Sequence, residues 1–286
     1  VIRAVFLPRT PDELWDVLDE HPEGRVFAGG TDLFVRLRRD PVSSPSLIGL
    51  ERIEELRVLR EEGPRLFVGS GVSHSRLLAS SPVKRFFPVL EQALRVLGSP
   101  PVRHMGTLGG NLVTASPAGD TLPPLTVLDA ELELRTRQGS RRVSVPEFIR
   151  GPGNTVLNPG EIVAGVRLKM DTRRTLQYFE KVGQRNALAI ALVSMAAVLQ
   201  VSESGVVERA RLAWGSVGPT VITSPEAERR LEGRPISRRA LEEAAEEARN
   251  AVRPIDDLRA GAAYRRQVAG NLVLRLEACI PARGVS

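Results

Sequence analysis

Two glycine pairs are the first residues in this chain whose type and spacing suggest chemistry. One lies in Val26-Phe27-Ala28-Gly29-Gly30-Thr31-Asp32-Leu33, where an apolar strand stops at two glycines and turns directly into a helix. Such a bend leaves several backbone N–H groups without an internal partner, and a phosphate or pyrophosphate is a natural acceptor for them. Glycine suits the position because a side chain would hold the phosphate oxygens away from the backbone. The same residues also read as a tight strand-to-helix turn capped by Thr31 or Asp32. The second pair lies in Thr107-Leu108-Gly109-Gly110-Asn111, continuing through Ser116 to Asp120. It adds Thr, Asn, Ser and Asp groups able to hold a polyhydroxylated ligand, or reads as a structural loop built on Asx and Ser turns.

Other chemistries find little support. No Gly-x-x-x-x-Gly-Lys-Ser/Thr run is present, which argues against a P-loop nucleotidase. Gly69-Ser70-Gly71-Val72-Ser73-His74 approaches a dinucleotide fingerprint but lacks its last glycine, so the resemblance reads as accidental. Ser73 beside His74 lacks a nucleophile elbow. His104 either lines a site next to the second glycine pair or is structural. Cys279 is the only cysteine, and His21, His74 and His104 lie far apart, so neither a metal site nor an iron–sulfur cluster is expected. Cys279 itself reads as a small buried hydrophobe. Glu242, Glu243, Glu246 and Glu247 read as the solvated face of a helix, and no catalytic residue is assigned.

The elements that would position these residues follow from pattern. The 286 residues are 42% hydrophobic, enough for one large domain or two medium ones. Thr10-Pro11-Asp12-Glu13 starts a helix between strands at 2–7 and 25–28, and a further strand is expected at 46–50 after a loop at 40–45. Ser81-Pro82 opens a helix expected to end at Gly98, followed by a long functional loop from Ser99 to Pro124. Strands follow at 131–136, 141–145 and 162–168. The charged connector Asp171–Thr175 then leads to further strands, a hairpin near Gly205 and three closing helices. The longest apolar run, 188–201, is about 14 residues, short of the roughly 18–20 that span a bilayer, so it reads as a buried element. No secretion signal is visible at the start, and a cytoplasmic protein is the expectation. The net charge of +6 comes almost wholly from arginine, but acidic residues are interleaved and aromatics are only 4%, which disfavours nucleic-acid binding.

Taken together, the two glycine segments resemble the FAD-binding medium subunits of the molybdenum hydroxylase family, of carbon monoxide dehydrogenase and xanthine dehydrogenase type. The likeness continues in order through Asp120-Thr121-Leu122-Pro123-Pro124-Leu125, Tyr178-Phe179-Glu180-Lys181 with Arg185, Gly215–Thr220 and Tyr264-Arg265-Arg266. It implies an α+β fold: a vanillyl-alcohol-oxidase-like (PCMH-type) FAD-binding domain of two α+β subdomains, at 1–55 and 56–172, plus a C-terminal α+β domain at 173–286. It implies FAD held at Val26–Leu33 and Thr107–Asn111, with Ser116 and Asp120 toward its ribityl and ring portion. Leu97 and Val163 would line the apolar part, and Lys181 would approach the flavin and tune it as a nearby cation. The family often has Asn in place of His104 and Asp-Ile-Ala in place of Leu188-Ala189-Ile190. The implied partners are an iron–sulfur subunit and a molybdopterin subunit, with NAD, a quinone or oxygen accepting the electrons. A self-contained FAD-dependent oxidoreductase is the alternative. A scaffold or polyanion binder without flavin is a third reading.

Overall fold

The computed structural model describes residues 2–39 and 46–279; the loop expected at 40–45 lies outside them. The chain divides into two compact units, and neither is a continuous stretch. The first takes residues 1–80, 98–116 and 129–170, and the second takes 81–97, 117–128 and 171–286.

The first unit holds two main sheets. A small parallel sheet runs Ala4–Phe6, Ser46–Gly49, Arg25–Phe27 in spatial order. The helix Pro11–Glu20 begins where the sequence signals it, with Thr10 Oγ1 accepting the amide of Glu13 at 3.2 Å. Leu14 and Trp15 from this helix join Ile48, Leu50 and Ile53 in one apolar cluster. An antiparallel sheet runs Leu59–Glu62, Arg65–Gly69, Ile162–Lys169, Glu131–Arg135, Ser140–Ser144. The strands at 131–135 and 162–169 match the alternation read from sequence; the edge strand Leu59–Glu62 is masked there by its charges.

In the second unit, Leu176–Val182, Val193–Val201, Val207–Gly215 and Ile222–Thr223 form an antiparallel sheet. The helices Pro225–Leu231, Arg238–Ala251 and Ala262–Leu274 pack an apolar core with it, centred on Trp214. The Trp214 indole donates to the Ala269 carbonyl at 3.1 Å, so its one polar group is satisfied inside the core. The glutamates of Arg238–Ala251 are a solvated face, as expected: Glu242, Glu243 and Glu247 pair with Arg238, Arg234 and Arg230. Among the described residues no helix is long and apolar enough to cross a membrane.

Four expectations need correction. The helix expected from Ser81 to Gly98 is two, Ser81–Phe86 and Pro88–Val96. Pro88 lacks an amide and forces Phe87 out of helical geometry, to φ −132° and ψ 52°. The long loop from Ser99 to Pro124 contains the helices Pro100–Met105 and Leu108–Thr114 and the start of Leu122–Val127. Pro100, Pro101 and Pro123 sit at first or second helical positions, where no amide bond is lost. The apolar run 188–201 is buried only from Ala191, while Leu188 and Ile190 stand in solvent. Cys279 is half-buried rather than enclosed.

Candidate functional site

The first unit brings the two glycine segments together. A Cβ built on Gly29 would lie 1.7 Å from the Met105 carbonyl oxygen and 3.0 Å from the Gly106 nitrogen. Thr114 Oγ1 donates to Asp32 Oδ2 at 3.4 Å, and Arg36 pairs with the same oxygen at 2.8 Å. The Asp32 carboxylate is therefore drawn onto one cation and one hydroxyl of the protein itself.

The amides of Gly29, Gly30, Thr31, Asp32 and Leu33 donate to no acceptor among the described residues. Downstream, Phe34 and Arg36 already bond back to Gly30 and Asp32. Five consecutive free donors on a bend are what a diphosphate needs. Gly30 has φ +68°, and a Cβ there would meet the Phe34 ring at 2.3 Å. The glycines are thus demanded first by the protein's own geometry: Gly29 by a backbone behind it, Gly30 by its left-handed conformation.

The second pair behaves differently, for its amides are engaged within the protein. Leu108 donates to the Val72 carbonyl at 3.1 Å and Gly109 to the Ser70 carbonyl at 2.9 Å. Gly110 donates to Thr107 Oγ1 at 3.0 Å and Asn111 to the Thr107 carbonyl at 3.0 Å. Thr107 caps a helix whose first amides are all engaged. Gly109 is small because a Cβ would lie 2.4 Å from Ser70 Cβ, while beside Gly110 only Thr107 Oγ1, at 3.1 Å, comes near. This segment offers a ligand its exposed face at Gly110 and its side chains, not a row of bare N–H groups.

The partner in that packing is the Gly69–His74 segment, whose resemblance to a fingerprint reads as accidental. It carries no fingerprint role, yet its carbonyls organise the second glycine pair. Ser70 also takes the Ala164 carbonyl, next to buried Val163, and its hydroxyl is buried with no partner. Sequence reading missed Ser70 because the groups it uses for this are main-chain ones.

His74 is buried beneath Gly106, its amide bonded to the Gly106 carbonyl at 3.0 Å and its Nδ1 unpartnered. Burial, reinforced by the Arg103 charge, lowers its pKa to about 4. Since a solvated histidine titrates near 6.5, the unfolded chain takes up this proton first as pH falls. His74 therefore withdraws stability between about pH 6.5 and 4, by up to about 3 kcal/mol. Denaturant titrations across that range should show the loss, and His74→Gln should flatten it. Parallel curves for the two proteins would overturn this assignment.

Leu97, Asp120 and Lys181 belong to the second unit. Lys181 Nζ donates to Asp120 Oδ2 and to the Val96 carbonyl, each at 2.7 Å. Both side chains are about nine-tenths buried. Burial, which outweighs the nearby lysine, pushes the Asp120 carboxyl up to about 6, so it is still largely ionised at neutral pH. Asp120 Oδ1 is buried with no partner. A buried carboxylate oxygen without a donor fits a ligand hydroxyl or N–H. The lysine is thus a compensated cation rather than a free one. Leu97, which follows Val96 in sequence, is buried, and Ser116 is half-buried with a partner inside the protein. His104 is exposed at the end of Pro100–Met105. Among the described residues no group of three metal-ligating side chains occurs.

Within the first unit, the free amides from Gly29 to Leu33 fit the pyrophosphate of a dinucleotide cofactor. The family described as "FAD binding domain in molybdopterin dehydrogenase" matches residues 2–168, and "CO dehydrogenase flavoprotein C-terminal domain" matches 177–278. The chain is similar to the carbon monoxide dehydrogenase medium chain of Hydrogenophaga pseudoflava, with 30% identity over 88% of each chain. It is similar to the glyceraldehyde dehydrogenase medium chain of Sulfolobus acidocaldarius, with 29% identity over 90% of this chain and 91% of the relative. Among solved structures, carbon monoxide dehydrogenase from H. pseudoflava has a chain that superposes with a TM-score of 0.91 at 28% identity, covering 96% of both chains. The chain therefore belongs to the FAD-binding subunits of the molybdenum hydroxylase family, with FAD as its cofactor and the PCMH-type α+β fold.

Proposed function

We propose that this chain relays electrons, through bound FAD, from the iron–sulfur clusters of a partner subunit to a terminal acceptor, NAD, a quinone or oxygen. The row of free amides from Gly29 to Leu33 carries the cofactor part of this reading. In it, those amides hold the pyrophosphate, with Val26 to Ala28 leading the chain into the bend. Thr107 to Asn111 and Ser116 contribute side chains and a close approach at Gly110. Asp120 and Lys181 take the ribityl and ring end, and Leu97 and Val163 supply apolar lining. FAD, when bound, supplies the conversion between two-electron and one-electron transfer.

The chain's own share is to bind, orient and set charge. Asp120 and Lys181 hold opposite charges together, so the field they place near the ring is that of a dipole rather than of a lone cation. The single cysteine supports the partner assignment: one thiolate cannot hold a cluster that needs four ligands. Names such as "medium chain" among the relatives agree with a multisubunit enzyme. The separate sheets on either side of residue 55 support the proposed division of the FAD domain into 1–55 and 56–172, with 173–286 following.

Desalting the purified chain after adding FAD should leave a protein fraction with flavin absorption bands and about one FAD per chain. A colourless protein fraction would refute the reading. Turnover of substrate by the isolated flavinated chain would refute the relay in favour of a self-contained oxidoreductase.

A further inference from the structure

One turn underlies both glycine segments, and a buried histidine lies against it. The turn is Met105-Gly106-Thr107. The Met105 carbonyl oxygen and the Gly106 nitrogen form the wall behind Gly29, where a Cβ would lie 1.7 Å and 3.0 Å from them. Thr107 caps the helix Leu108–Thr114, which carries Gly109 and Gly110. A shift of this turn therefore moves the free amides of 29–33 and the Gly110 face together.

The turn rests on the Gly69–His74 segment. Leu108 and Gly109 donate to the Val72 and Ser70 carbonyls, and the His74 amide donates to the Gly106 carbonyl at 3.0 Å. Ser73 and Thr107 pair as an antiparallel bridge. The segment is itself anchored. Gly69, Ser70 and Gly71 donate to the carbonyls of Val58, Ala164 and Leu56 at 2.8, 3.0 and 2.7 Å. Close-packed structure of this kind transmits a displacement instead of absorbing it.

The His74 side chain, 3% exposed, fills the space against the turn. A Cβ on Gly106 would lie 3.1 Å from His74 Cδ2 and 3.4 Å from Nε2, so this edge of the ring abuts the glycine directly. Nδ1, on the opposite edge, is buried with no partner. An unpaired buried nitrogen is a cost that an apolar side chain of similar size avoids. What the histidine supplies is a flat edge that fits beneath a residue without a side chain. Removing the ring leaves a void into which the turn can settle.

We infer that His74 is a positioning residue for the cofactor: its imidazole sets the height of the Met105–Thr107 turn, and through it the spacing of the two glycine segments. The inference rests on the flavoprotein reading. The test is FAD titration of the whole chain, stripped of flavin, at pH 8, with thermal unfolding of each variant alongside. His74→Ala should weaken FAD binding about tenfold, since sub-ångström misplacement of binding groups costs this much. His74→Gln, whose amide reaches the position of Nε2, should restore most of the affinity. Gly106→Ala presses on the same contact from the turn side, its Cβ 2.8 Å from the Val102 carbonyl oxygen and 3.1 Å from His74 Cδ2. It should weaken binding in the same way, even where His74→Ala does not fold. Leu132→Ala tests stability alone: Leu132 is fully buried in a sheet of the same unit, and its variant should melt lower yet bind FAD normally. Unaltered affinity in His74→Ala, or in Gly106→Ala where the first does not fold, would overturn the inference. So would an equal loss of affinity in Leu132→Ala or in His74→Gln. Failure of the unaltered chain to bind FAD is a separate result, and it strikes the flavoprotein reading itself.

Discussion

Gly29→Ala should lower FAD affinity at least about 100-fold, a difference of about 2.7 kcal/mol in binding. Its Cβ would lie 1.7 Å from a backbone carbonyl oxygen, and backbone cannot rotate away as a side-chain tip can. The bend at 29–33 would have to separate from Met105–Gly106, scattering the five free amides. Gly30→Ala should do less, about tenfold. Its obstacle is the exposed Phe34 ring, which can swing into solvent, leaving mainly the left-handed backbone cost of about 1–2 kcal/mol. Gly110→Ala should leave the fold intact, since only its own capping hydroxyl is near, so any loss of affinity there reports contact with the ligand. Fluorescence titration with FAD, alongside thermal unfolding, separates these cases. Wild-type affinity in Gly29→Ala would show that the bend does not hold the cofactor.

Lys181→Met should destabilise the second unit by about 3–5 kcal/mol at pH 8, because it strands a buried carboxylate without its partner. The penalty should shrink on acidification. Asp120 already titrates above the usual carboxylate range, and without the lysine it rises further. Protonation removes the charge that the fold cannot tolerate, so the variant's stability falls as pH rises through that elevated pKa and recovers below it. Lys181→Met combined with Asp120→Leu should regain most of the loss, since two apolar groups of similar size leave no charge uncompensated. Urea denaturation of the single and double variants at pH 5 and 8 measures each contribution. A pH-independent loss would show that Lys181 acts by packing alone.

Much of this architecture can be read from local signals, and the exceptions share a cause. Thr10-Pro11 and Ser224-Pro225 announce helices because capping and proline geometry act within four residues. The strands 131–135 and 162–169 show themselves by their apolar residues. The helices inside 99–128 escape notice because each is six or seven residues, too short to display a period, and prolines open two of them. The bend at Gly29-Gly30 is legible as a donor-rich turn. The Gly109-Gly110 pair has the same local signature but spends its amides on Val72, Ser70 and Thr107, a distinction only tertiary packing can make. Asp120 and Lys181 lie 61 residues apart, and resemblance alone suggested each of them. Nothing local announces that they form a pair.

The interleaving of the two units constrains how the polypeptide can be made. Residues 81–97 and 117–128 cluster with 171–286, so on the ribosome they emerge well before the strands they pack with exist. Gln92 and Gln177 illustrate the wait: their side chains bond across 85 and 88 residues to the backbone of Gln177 and Val89. The early segments carry apolar faces, including Phe87, Leu90 and Leu94, that wait for the strands at 176–201 to be made. Nascent chains of this kind are aggregation-prone during elongation, and slow translation before residue 171 prolongs that exposure rather than helping folding.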